Sequence, residues 1–156
     1  MMEKVQSVDN ANINHHCTCV KINSVGVMIE GISGAGKTSL ALGMLNAARI
    51  RGVDFAMVCD DQALIDIRKN NELWVKAPLP IAGKVELHGG GIAAIETITE
   101  CRIQLLCELI NQADIIRHPS PLNCTRFGVT LDYVQAPRQH EAQGIRILLQ
   151  KLSLPL

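Results

Sequence analysis

The chain has 156 residues, 47% of them apolar, with Lys+Arg and Asp+Glu balanced at 15 each. That length suits one domain with a single substantial core, and a neutral chain carries no electrostatic footprint for nucleic acid or an anionic membrane. No apolar run approaches the ~18 residues of a membrane span, and the N-terminus lacks a charged-then-apolar signal pattern, so the expectation is a soluble cytoplasmic protein.

Residues 1–14 are polar, mixed in charge and aperiodic, and read as a loose lead-in to a single domain over 15–156. The segment His15-His16-Cys17-Thr18-Cys19 has the residue types of a metal cluster, but no second ligand pair at zinc-like spacing follows it. Cys17 and Cys19 alternate instead like one face of a strand. The six cysteines are too few for a disulfide scaffold, and several lie in apolar segments where a reduced thiol packs as a small hydrophobe. Cys17 to Ile22 and Val25 to Ile29 read as strands joined by the turn residues Asn23-Ser24, hence a hairpin.

The second strand runs into Gly31-Ile32-Ser33-Gly34-Ala35-Gly36-Lys37-Thr38, which fits the phosphate-loop pattern G-x-x-x-x-G-K-[ST]. Thr38 to about Arg51 reads as a helix that is apolar nearly all round and so is expected to be buried. Strand, glycine loop and helix give the pattern its physical meaning. Backbone N–H groups of the loop and the helix N-terminus face one anion. Lys37 reaches the outer phosphates and the Thr38 hydroxyl ligates Mg²⁺.

Gly52 closes the helix, and 53–61 reads as an apolar strand ending in Asp60-Asp61. A carboxylate at a strand end beside the loop can hold Mg²⁺, while its neighbour, pointing elsewhere, can take a proton from an attacking hydroxyl. Ala63–Arg68 and Glu72–Lys76 form a second hairpin with the single tryptophan, Trp74, and Pro78 and Pro80 break structure. Glu86 alternates with apolar residues ahead of Gly89-Gly90-Gly91, which reads either as a flexible loop or as close backbone approach to a ligand. Arg102–Ile110 fits both a strand and a helix face. Residues 117–121 read as loop, Phe127–Val134 as a strand and Gly144–Leu152 as a closing strand or helix.

These segments resemble the catalytic domain of HPr kinase/phosphorylase, the bacterial enzyme that phosphorylates a serine of the phosphotransferase carrier protein HPr. The resemblance rests on ordered pieces: His16, fifteen residues before Gly31; the loop Gly31–Thr38; Val58-Cys59-Asp60-Asp61; and Val85-Glu86-Leu87-His88-Gly89-Gly90-Gly91-Ile92. Thr125-Arg126-Phe127-Gly128 is similar to the family's Asp-Arg-Leu-Gly. It implies an α/β fold, a P-loop-containing mixed sheet with a buried helix after the loop, as in phosphoenolpyruvate carboxykinase. It implies ATP and Mg²⁺ as cofactors and an HPr-type phosphocarrier as partner, with no nucleic acid, no membrane and a homo-oligomer left open. It also implies a regulatory role in carbon and nitrogen metabolism.

By this resemblance Gly31, Ile32, Ser33, Gly34, Ala35, Gly36, Lys37, Thr38 and Ser39 bind the nucleotide, and Thr38, Asp61 and Glu86 serve the metal. Asp60 is the acid/base group, His16 lies near the phosphates, and Arg126 neutralises transition-state charge. The chain resembles the short α-proteobacterial form without the N-terminal domain. His88 and Gly90 stand where many members carry Arg and Leu, so phosphorolysis is expected to be weak or absent. The alternatives are a catalytically impaired nucleotide-binding regulator and a small-molecule P-loop phosphotransferase.

Overall fold

The computed structural model describes residues 13–117 and 122–156. The lead-in expected over residues 1–14 falls largely outside them, as does most of the loop expected over 117–121. Elements follow in the order β1 (Ile13–His15), β2 (Thr18–Ile22), β3 (Val25–Glu30), α1 (Lys37–Arg51), β4 (Phe55–Cys59), β5 (Ala63–Arg68) and β6 (Glu72–Lys76). They continue with β7 (Lys84–Leu87), β8 (Gly91–Ala94), β9 (Glu100–Ile110), β10 (Leu122–Arg126), β11 (Val129–Pro137) and α2 (Glu141–Lys151). Nine strands make one mixed sheet, ordered β1-β5-β6-β9-β3-β2-β4, with β11 also paired to β9 and β10 to β11. The strands β7 and β8 form a separate ribbon.

The hairpins follow their turn chemistry. Ile22 pairs with Val25 across Asn23-Ser24, and Asn23 takes the left-handed φ of 51° that asparagine tolerates. Arg68 pairs with Glu72 across Lys69-Asn70-Asn71, where both asparagines are left-handed. The three glycines, Gly89 to Gly91, lie in a tight β7–β8 turn, in which Gly90 N–H donates to Leu87 O at 2.8 Å.

Two open readings are resolved and one boundary moves. Arg102–Ile110 resolves to strand, the long β9, parallel to both β3 and β11. A register shift opposite Gly26-Val27 reverses its alternation, so Ile103 faces one core cluster and Leu105, Cys107 and Leu109 the other. The strand expected from Phe127 begins at Val129, because Phe127 (φ 52°) and Gly128 form the two-residue turn between β10 and β11. Gly144–Leu152 belongs to a helix that starts earlier, at Glu141.

The core has one cluster on each face of the sheet. Val27, Ile29, Leu105 and Cys107 meet Leu40, Ala41 and Met44 of α1 and Leu148 and Leu149 of α2. On the other face Met28 and Leu106 meet Ile65, Leu73, Val75, Val129 and Leu131, with Cys17, Cys19, Cys59 and Cys101 among them. All the cysteines are reduced, and burial pushes the Cys107 thiol up to about 12, consistent with a packing role. The helix α1 is less enclosed than its composition suggested: Leu40, Ala41, Met44, Ala47 and Ala48 are buried, but Ile50 is 83% exposed. Among the described residues no helix is long and apolar enough to cross a membrane.

Candidate active site

Strand β3 ends at Glu30 and α1 begins at Lys37, so the glycine-rich segment is the connection between a central strand and the helix that covers it. Gly34 (φ 78°) and Gly36 (φ 97°) sit in left-handed backbone that side chains rarely adopt, and this curls the segment over the end of the strand. It forms one wall of a cleft of about 960 Å³. His16, Ser33 to Ser39, Asp61 and Glu86 all line that cleft. Gly31 and Ile32 do not, although both their carbonyl oxygens accept from Lys37 Nζ, at 2.9 and 3.1 Å. The Ile32 side chain is 59% exposed.

Burial holds the pKa of Lys37 below its ordinary value, with Asp61 and Asp60 only partly opposing it. A buried cation whose nearest partners are neutral carbonyls is poised for an anion, because phosphate oxygens supply the charge those carbonyls lack.

The two aspartates have different surroundings. Asp60, at the end of β4, is 6% exposed, and its Oδ1 accepts from Thr18 Oγ1 and Thr38 Oγ1, both at 2.8 Å. Asp61 follows with left-handed backbone (φ 68°), which turns it away from the strand line and into the cleft. There its Oδ1 lies 2.9 Å from His16 Nε2. Thr18 carried no signal in the sequence beyond its place in a strand, because its role depends on β2 lying beside β4.

Arg126 is placed elsewhere than expected. It does not line the cleft: its Nε and Nη2 donate to the Glu30 carboxylate at 3.0–3.2 Å, and Glu30 Oε1 lies 2.8 Å from His15 Nε2. The physical reason is Glu30, which sits one residue before the glycine segment with a side chain only 12% exposed and needs a cation. The residues that complete the cleft instead come from the β11–α2 connection, Gln139 and His140, and from Glu141 at the start of α2, none of which a motif marked. His88, from the β7–β8 turn, also lines it.

Among the described residues no group of three or more His, Cys, Asp or Glu side chains stands close enough to hold a metal alone. The donors present, the Thr38 hydroxyl beside the Asp60 carboxylate with Glu86 on the same cleft, suit a hard cation held partly by protein oxygens and partly by phosphate and water. That is the coordination Mg²⁺ prefers over a protein cage.

Comparison with known proteins agrees with this architecture. Residues 10–124 match the model of the HPr Serine kinase C-terminal domain. The chain is 31% identical over 135 residues to an HPr kinase/phosphorylase of Mycoplasma genitalium, covering 78% of this chain and 41% of that protein. It is 29% identical over 105 residues to an HPr kinase/phosphorylase of Lactobacillus acidophilus, covering 62% of this chain and 30% of that one. The chain thus spans less than half the length of these relatives. The solved Hpr(Ser) kinase/phosphatase of Coxiella burnetii superposes with a TM-score of 0.72 at 22% identity, over 90% of this chain and 95% of that one, which establishes a shared fold. The family match covers most of the chain, and the chain belongs to the HPr serine kinase C-terminal domain family.

Proposed function

We propose that the chain is an ATP- and Mg²⁺-dependent protein-serine kinase acting on an HPr-type phosphocarrier. The observation that carries this reading is the split pair at the end of β4, with Asp60 buried against Thr38 and Asp61 in the cleft beside His16. On this reading the two aspartates exchange the roles the resemblance implied. Asp60, with Thr38 and Glu86, serves the metal, and Asp61 is the acid/base group. Thr38, Asp60 and Glu86 would hold Mg²⁺, which would neutralise charge on the phosphates.

Each remaining part is done by this chain's own groups. Lys37 leaves its two carbonyl partners for the phosphate oxygens, and the N–H groups of the glycine loop hold them. The acceptor serine oxygen bonds to the γ-phosphorus as the bond to the leaving ADP oxygen breaks, and Asp61 takes the serine proton. His16 fixes the orientation of the Asp61 carboxylate. With His88 at the cleft wall in place of an arginine, phosphorolysis is weak, because that reverse reaction needs more cationic charge around inorganic phosphate.

The test is direct. Purified protein with labelled ATP, Mg²⁺ and the HPr of the same organism labels a serine of HPr. Unlabelled HPr in the presence of bound ATP defeats the kinase reading. Asp61→Asn keeps nucleotide affinity and lowers the transfer rate by about 10²–10⁴-fold, the usual worth of a general base. Asp60→Asn instead raises the Mg²⁺ concentration needed for half-maximal nucleotide binding. The opposite pattern restores the roles first expected.

A further inference from the structure

The β11–α2 connection reaches back to the glycine segment through one residue. Gln139 N–H donates to Ala35 O at 3.0 Å, and Gln139 Nε2 donates to Gly34 O at 3.1 Å. Its backbone is left-handed (φ 56°), a conformation that a residue with a side chain adopts at a cost. A Cβ added at Gly36 would lie 3.6 Å from Gln139 N, so the connection lies against the loop at that point too.

These bonds act on two successive peptide planes. A trans peptide directs its N–H opposite to its C=O. Fixing Gly34 O therefore sets the direction of the Ala35 N–H, which closes a turn onto Ile32 O at 3.0 Å. Fixing Ala35 O sets the direction of the Gly36 N–H on the cleft wall. Without such a tie, a segment with glycine at 31, 34 and 36 samples many backbone states, and ordering it would be charged against ligand binding.

We infer that Gln139 is a positioning residue, which holds the glycine loop in its phosphate-binding shape from outside the loop. Its anchor is tied into the fold on two sides. Helix α2, which begins directly after this connection, crosses α1 so closely that a Cβ on Gly144 would fall 2.9 Å from Leu40 Cδ1. Arg138, the preceding residue, donates its N–H to Ile110 O at 2.9 Å and so ties the connection to the end of β9. The tie thus joins β9, α2 and the loop, three pieces distant in sequence.

This inference rests on the nucleotide reading of the cleft, and a binding experiment without acceptor separates the two. The dissociation constant of ATP with Mg²⁺ is measured for the full chain and for Gln139→Gly, which keeps the left-handed backbone and the bond to Ala35 but lacks the amide. The expected result is about 3–10-fold weaker binding, the scale of one hydrogen bond. Amide exchange at residues 33–36 should also be faster, while the thermal midpoint without nucleotide changes little. Where that variant loses its fold, Gln139→Asn, which suits the same backbone but ends one methylene short of Gly34, carries the test. Unchanged affinity and unchanged loop exchange overturn the inference. If the parent chain binds no ATP, both the inference and the proposed function fall; if it binds ATP but labels no HPr, only the proposed function does.

Discussion

Thr18 Oγ1 and Thr38 Oγ1 both donate to Asp60 Oδ1, so the carboxylate is held by one residue of the glycine segment and one from a neighbouring strand. Its neighbour Asp61 is two-thirds exposed and has His16 as its partner. Adjacent acids look interchangeable in a sequence, where alternation says only that they point apart. Which one faces the cleft is decided by the left-handed turn at Asp61 and by a threonine distant in sequence, and neither is visible without tertiary structure. Replacing Thr18 by Val keeps the shape of the strand but removes one donor from a buried carboxylate. The expected cost is about 1–3 kcal/mol in urea denaturation, the usual penalty for an acceptor left short in the interior. Weaker Mg²⁺-dependent nucleotide binding should accompany it, and a stability equal to the parent's would show that water replaces the hydroxyl without loss.

Strand β9 organises the elements. It runs from Glu100 to Ile110, pairs with β6 in its first residues, and lies parallel to β3 and β11 for the rest. Both periodicities fit this segment because β9 is buried on both faces, so Leu106 is apolar alongside the alternating Ile103, Leu105, Cys107 and Leu109. The hairpins were readable because asparagine marks their turns; Phe127 hid another turn because an apolar residue in left-handed backbone has no sequence signature. At Gly26 the backbone of β9 occupies the space a side chain would need. A Cβ there would lie 1.8 Å from Arg102 O and 2.7 Å from Cys101 Sγ, and the first of these is backbone that cannot step aside. Gly26→Ala is therefore expected to abolish cooperative folding, seen as loss of a sharp thermal transition in circular dichroism. Gly52→Ala, whose Cβ meets nothing within 4 Å, should cost only the strain of a left-handed alanine, about 1 kcal/mol.

In the molecule as a whole, Glu30 joins regions that the chain order keeps apart. Arg126 arrives from the β10–β11 hairpin, His15 from β1, and Glu30 itself ends β3 immediately before the glycine segment. Burial alone would raise the pKa of this carboxyl, but the hydrogen bonds from His15 and Arg126 outweigh burial and hold it below its ordinary value. A carboxyl depressed in the folded state binds its proton more weakly there than in the unfolded chain. Its stabilising contribution is complete above the unfolded value, near pH 4.5. It is lost as the pH falls through the lower folded value. Glu30→Gln should therefore be less stable than the parent by about 1–2 kcal/mol at neutral pH, since the charged hydrogen bonds become neutral ones. As the pH falls through that lower folded value the parent carboxylate protonates as well, and the two denaturation curves should converge. A gap that persists unchanged at acid pH would mean that Glu30 acts through its shape and packing rather than through its charge.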